Sequence, residues 1–191
     1  MAIVNSKAVL FLGLLYLALL PISATAQEHI GQVVGISDGD TLTILDNRKQ
    51  QIKVRLAEID TPESSQPYGK RAKQVLSGLV HGKTVTVKVQ DIDRYGRTVG
   101  RVYVGDIDVN AEMVKLGAAW VYRKYAKDQG LYALENQAKQ NKAGLWSLPE
   151  AEQVPPWEWR KSNTAKSTKR SFGALFGTFL FQHSHGKALR S

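Results

Sequence analysis

Between Gly31 and Val104 apolar residues come in short runs that alternate with polar ones, and a single stretch of helical spacing interrupts this period-two pattern. Val33-Val34, Thr41 to Leu45 and Gln51 to Leu56 read as strands. The break Asp46-Asn47-Arg48-Lys49 between the last two is turn chemistry, which makes them a hairpin. From Gly69 to Val80, the residues Ala72, Val75, Leu76, Leu79 and Val80 recur at the spacing of one helix face. Two more strands follow, Thr84 to Val89 and Arg97 to Val104. A short helix around Val109 to Leu116 and a longer one from Leu131 to about Gly144 close the pattern, with the glycine as stop signal. Three strands, a helix, two strands and then helices is the order of a five-stranded Greek-key β-barrel with about three helices, an α+β arrangement of the OB-fold type.

A chain of 191 residues, 43% hydrophobic and with six prolines, suits one globular domain with appendages. It contains no cysteine, which excludes disulfides, zinc-thiolate sites and a cysteine nucleophile. At the N-terminus Lys7 precedes the 13-residue apolar run Ala8 to Leu20, and Ala24-Thr25-Ala26 follows. That run falls short of the roughly 20 residues a membrane-spanning helix needs, so residues 1–26 read as a cleavable signal peptide with cleavage near Ala26. The expected product is exported, periplasmic or secreted, with no transmembrane span. The formal charge of +9 is unevenly placed: residues 27–159 hold 18 Lys and Arg against 17 Asp and Glu, while residues 160–191 hold seven basic residues and no acid. Basicity therefore marks the tail, where it fits attraction to a polyanion.

Three segments carry candidate chemistry: Asp38-Gly-Asp-Thr41, Val54-Arg-Leu-Ala-Glu-Ile-Asp-Thr-Pro-Glu63 and Asp93-Arg-Tyr-Gly-Arg97. Each has a plain structural reading taken singly. The first is a turn before a strand, the second contains a helix-start pattern at Asp60 to Glu63, and the third is a hairpin connection. Arg55, out of phase with Ile52, Val54 and Leu56, could be an ordinary solvent-face charge. Together they describe one site. Asp40 and Asp60 supply two carboxylates from adjacent strand ends, which suits a hard divalent cation that also takes carbonyl, water and phosphate oxygens. Arg55 and Arg97 offer the planar guanidinium fork that matches charge developing on phosphorus. Glu63 is the nearby carboxylate left to act as general base toward water, with Asp38 as a weaker competitor.

In these segments the chain resembles the staphylococcal (micrococcal, thermonuclease) nuclease family, from about His29 to Trp146. The resemblance implies an OB-fold, Ca2+ as activating ion, and cleavage of DNA and RNA, single strands preferred, leaving 3'-phosphate ends. It implies that Asp40 and Asp60 ligate calcium through carboxylates and Thr61 through its backbone carbonyl, with Arg55, Glu63 and Arg97 catalytic. Asp38 would stand behind the metal ligands, and Tyr95 would help hold the substrate. Two departures are visible. Ser64 to Tyr68 is shorter than the mobile loop of the family's prototype, and the prototype's tyrosine pair is replaced by Tyr122-Arg-Lys-Tyr125, of which Tyr125 is taken as the stacking partner.

The expected organisation is thus a signal peptide over 1–26, a nuclease-like OB-fold domain over 27–148, and a tail over 149–191, rich in Pro and Trp and then basic, expected to be poorly ordered. A monomer acting on DNA and RNA, with no stable protein partner, is the expected form. The rival readings are a non-catalytic nucleic-acid-binding OB module, and a tail-centred function in which the barrel is a carrier. Asp40, Arg55, Asp60, Thr61, Glu63 and Arg97 are all present, which binding alone would not require. His29, His81, His183 and His185 fit no site, and the four tryptophans read as core or docking residues.

Overall fold

The computed structural model describes residues 27–165; the apolar N-terminal run and the chain beyond 165, including the apolar stretch 172–181, lie outside the described residues. The strands are β1 (Glu28–Ile36), β2 (Thr41–Asp46), β3 (Gln51–Leu56), β4 (Ile59–Asp60), β5 (Thr84–Ile92), β6 (Thr98–Val104), β7 (Ile107–Asp108) and β8 (Trp120–Val121). The helices are α1 (Gly69–Val80), α2 (Val109–Lys115) and α3 (Gln129–Gln140). Residues 156–165 are also helical and are called α4.

The alternation in the sequence becomes a barrel because one side of every long strand is apolar. Antiparallel neighbours run in the order β3, β2, β1, β5, β6, and a parallel pairing of β3 with β6 closes the ring. In that closing seam Arg55 lies opposite Val99. Val33, Leu42, Ile44, Val54, Leu56, Val85, Val87 and Val102 point inward and are buried. Helix α1 adds Ala72, Leu76 and Val80 to the same core, and α2 adds Val109, Met113 and Val114. Closure leaves these strands without a free ladder edge, the usual route to unwanted pairing. The five-stranded barrel with helices expected from the sequence is the fold found.

Three details differ from the sequence reading. A small separate ladder pairs β4 with β8, bringing Ile59 opposite Val121 and Asp60 opposite Trp120; two-residue strands carry no readable period. Helix α3 ends at Gln140, and Gly144, at φ 58°, instead opens a 3-10 turn over Gly144–Ser147. The tail does not lose order at 149: a second 3-10 turn covers Glu150–Glu152, and α4 follows. Pro156 is the first helical residue of α4, where proline's fixed φ suits a helix and its missing N–H costs nothing.

The joints between barrel and helices are polar and satisfied. Asn110, fully buried, donates to the Ala57 carbonyl at 2.9 Å and accepts from the Val102 N–H at 3.0 Å. Glu58, which follows β3 with a left-handed φ of 65°, accepts from the N–H groups of Lys127 (2.7 Å) and Asp128 (3.0 Å) and from Arg101 (2.9 Å). Burial pushes its carboxyl up, but those N–H groups, with Arg101 and Gln90, hold it below the ordinary Glu value of 4.5. The stabilisation is therefore present above that value and lost as pH falls through the depressed folded value. Glu58→Gln should cost on the order of 2 kcal/mol at pH 7, from lost hydrogen bonds to a charged group. Chemical denaturation across pH 3 to 7 should show the deficit shrinking at the acidic end; a deficit constant over that range would contradict this account.

Candidate active site

The candidate residues are delivered by three neighbouring pieces of backbone. Asp40 stands immediately before β2, Arg55 lies on β3 opposite Thr41, and Asp60 ends β4. Gly39 allows the first and third pieces to touch: a Cβ at this position would sit 2.6 Å from the Thr61 hydroxyl oxygen and 3.0 Å from the Ala72 Cβ. The turn Thr61 to Tyr68 is shaped from within, as the Glu63 N–H donates to the Gln66 side chain and the Gln66 N–H donates back to the Glu63 carbonyl. Gly69 completes it, since any side chain there would overlap the Glu63 carbonyl. Asp60 to Glu63 therefore does not cap a helix; α1 begins at Gly69.

The centre is a largely buried ion cluster. Nη2 of Arg55 lies 3.2 Å from Asp40 Oδ2 and 3.1 Å from Asp60 Oδ1. Asp40 is 7% exposed and Asp60 1%. Arg55 is thus no free solvent-face charge, and its removal would leave the buried Asp40 carboxylate without a cationic partner. Burial drives the Asp40 carboxyl up to about 7; Arg55 opposes this, while Asp38 and Asp60 add to it. Asp60 is also raised, by burial first, with Arg160 and Arg55 pulling against it. Arg55 alone does not balance the pair, and Arg160 brings a second positive charge to Asp60. Two buried carboxylates beside the Thr61 backbone are an all-oxygen donor set whose chemistry fits a hard divalent cation. Among the described residues no group of three or more His, Asp or Glu is gathered at metal-ligand spacing.

Arg97 reaches the cluster indirectly. Its Nε donates to Asp93 at 2.7 Å, its Nη1 lies 3.4 Å from the Thr41 hydroxyl, and that hydroxyl donates to Asp40 Oδ1 at 2.9 Å. Asp93 is pushed up by burial but held below its ordinary value by the N–H and guanidinium of Arg97 and the Tyr95 N–H. Tyr95 is 69% exposed, with Arg97 at 5.6 Å and Arg94 at 4.9 Å from its ring. Asp38 accepts from the Asp40 N–H at 3.1 Å, behind the cluster. Tyr125 lies one ring away from the centre: Tyr122 is the tyrosine whose ring is 5.9 Å from the Arg55 guanidinium, and Tyr125 packs edge-on against it.

Sequence reasoning missed one participant. Arg160, on α4, donates from Nη2 to Asp60 Oδ2 at 2.6 Å and from Nη1 to Glu63 Oε1 at 2.7 Å. It was counted with the basic tail, but Pro155-Pro156 before Trp-Glu-Trp-Arg was a helix-start signal that could have set it apart.

The chain is similar in sequence to proteins named as nucleases. Residues 53–148 match the family described as staphylococcal nuclease homologue. The chain is 50% identical over 131 residues to an uncharacterized endonuclease of Escherichia coli O157:H7, covering 68% of this chain and 84% of that protein. It is 46% identical over 144 residues to a micrococcal nuclease of Shigella flexneri, with 70% and 81% covered. An uncharacterized endonuclease of Haemophilus influenzae is 39% identical over 156 residues, with 82% and 86% covered.

Because the folded Asp40 value of about 7 stands above its ordinary 3.8, the folded chain holds the extra proton between those values. Its stability in chelator should fall as pH rises through that window. Asp40→Asn, neutral throughout, should therefore have a melting temperature that improves relative to the parent between pH 4 and pH 8. A difference independent of pH would assign the proton elsewhere.

Proposed function

Since the chain belongs to the staphylococcal nuclease homologues and is a phosphodiester hydrolase of the endonuclease kind, we propose that it is an exported, Ca2+-dependent enzyme cleaving DNA and RNA, single strands preferred. The observation that carries the reading is the buried Asp40–Arg55–Asp60 cluster with Glu63 at its rim. Asp40, Asp60 and the Thr61 carbonyl would hold the cation. When bound, the ion supplies positive charge against the scissile phosphate and lowers the cost of its pentacoordinate transition state.

The chain's own groups supply the rest. Glu63 takes a proton from the attacking water as its oxygen bonds to phosphorus, and the bond from phosphorus to the 5'-oxygen breaks, leaving the phosphate on the 3' side. Arg55, held at fixed orientation by two carboxylates, donates toward the phosphate oxygens, where charge accumulates. Arg97, set by Asp93, serves the same charge from the other side of Thr41. Exposed Tyr95, between two guanidiniums, offers a face to the substrate strand. Export rests on the N-terminal run alone; no helix among the described residues is long and apolar enough to cross a membrane.

The test is digestion of single-stranded DNA, duplex DNA and RNA with calcium, with magnesium and with chelator. Calcium should support the fastest turnover, since few protein carboxylates and flexible oxygen ligation suit the larger ion, and chelator should abolish it. Glu63→Gln should lower the rate about 10²- to 10⁴-fold. Arg55→Lys keeps a charge between the buried acids while losing the planar fork, and should lower kcat roughly 10²- to 10³-fold with a smaller effect on substrate affinity. Near-parental rates in both variants would remove these residues from the reaction.

A further inference from the structure

The contact between Arg160 and the site's carboxylates is built as a two-point clamp. The guanidinium bonds both oxygens of Asp60, at 2.6 and 3.3 Å, and reaches Glu63 at 2.7 Å with the same nitrogen that takes the longer bond. Asp60 is almost wholly buried, so this is not the screened surface pair that contributes little. The segment bearing Arg160 is anchored independently of it. The Gln66 side-chain amide donates to the Val154 carbonyl, and Trp157 stacks on Tyr122 with ring centroids 5.4 Å apart and planes within 4°. Trp157 also meets Trp120 edge-on at 6.0 Å. An open hollow of about 590 Å³ lies between α4 and Tyr122, lined by Tyr122, Trp157, Arg160, Lys161, Thr164 and Ala165.

We propose that residues 154–165 form an intramolecular latch, in which Arg160 holds Asp60 and Glu63 in the absence of a divalent cation and is displaced when the cation binds. The proposal rests on the cation reading given above and adds a segment outside the matched family region, residues 53–148. The two occupants compete for the same lone pairs. A cation that takes Asp60 as ligand needs the oxygens Arg160 occupies, and the Arg160 bond to Glu63 Oε1 makes that carboxylate a weaker base toward water. Charge works the same way. Arg55 alone leaves Asp40 and Asp60 under-compensated, and Arg160 makes good the deficit; a divalent cation beside both guanidiniums would reverse it. The latch therefore stabilises the cation-free site and lowers apparent cation affinity by the fraction of molecules that are open.

Calcium binding by titration calorimetry, on the full chain and its variants, tests this without reference to turnover. Arg160→Ala should tighten the calcium Kd by about tenfold or more, as expected if the closed form holds nine molecules in ten. Trp157→Ala loosens the latch from its other end without touching a carboxylate, and should tighten binding in the same direction, so the test survives if either variant folds poorly. Hydrogen exchange of residues 154–165 should accelerate on adding calcium to the parent, and should already be fast in Arg160→Ala without calcium. Calcium affinity unchanged or weakened in both variants, while the parent's binding still depends on Asp40, would overturn the latch and leave the cation reading standing. Absence of any Asp40-dependent calcium binding in parent and variants would overturn both.

Discussion

Two buried carboxylates, bridged by Arg55 and met by Arg160 at Asp60, are the constraint on which this molecule is arranged. Burying an uncompensated acid costs several kcal/mol, so Asp40 and Asp60 can be hidden together only where positive charge is delivered to both. Arg55 does so because β3 pairs with β2 in the register that sets it opposite Thr41, one residue beyond Asp40. The β4–β8 ladder brings Asp60 to the same nitrogen. Neither strand placement would be stabilising without the other. The parallel seam of β3 with β6 also brings in the Asp93 to Arg97 turn, which precedes β6.

Aromatic rings extend this arrangement outward to a small apolar cluster of Ala138, Leu145 and Trp146, separate from the main core. Trp146 meets Trp120 at 4.3 Å, Trp120 meets Trp157, Trp157 stacks on Tyr122, and Tyr122 meets Tyr125 at 4.9 Å. Edge-to-face and stacked pairs of this kind contribute about 0.5–1.5 kcal/mol each beyond their buried area. The row connects the 3-10 turn after α3 to the rim of the ion cluster. It explains why the chain remains folded past Trp146: Trp157 has a prepared place between two rings, whereas a polar tail would have none.

Much of this was legible in the sequence where a repeating period carried it. The barrel strands and α1 follow from alternation and from the spacing of Ala72, Leu76 and Val80. The approach of Asp40 and Arg55 is legible because the hairpin turn dictates how β2 pairs with β3, whereas Asp60 joins them through the β4–β8 ladder. What was not legible depended on contacts without a period. The two-residue strands β4 and β8 have no pattern, and the described part of α4 is polar after Trp159, so Arg160 merges in the sequence with a run of basic residues. Choosing between Tyr122 and Tyr125 required knowing which ring faces Arg55, and the spacing of two tyrosines around Arg-Lys does not encode that.

The left-handed residue Glu58 carries a consequence for how the chain assembles. Its carboxylate joins backbone positions 69 and 70 residues further along, at the start of α3. Closing so long a loop carries an entropic cost that the hydrogen bonds alone do not offset, so the junction forms only after the barrel has shortened the path between its ends. The helices beyond β7 are then late arrivals in folding. A ribosome-bound chain that has emerged only as far as β6 carries Glu58 and Arg101 but neither Asp108 nor Asp128, the acids that complete the junction.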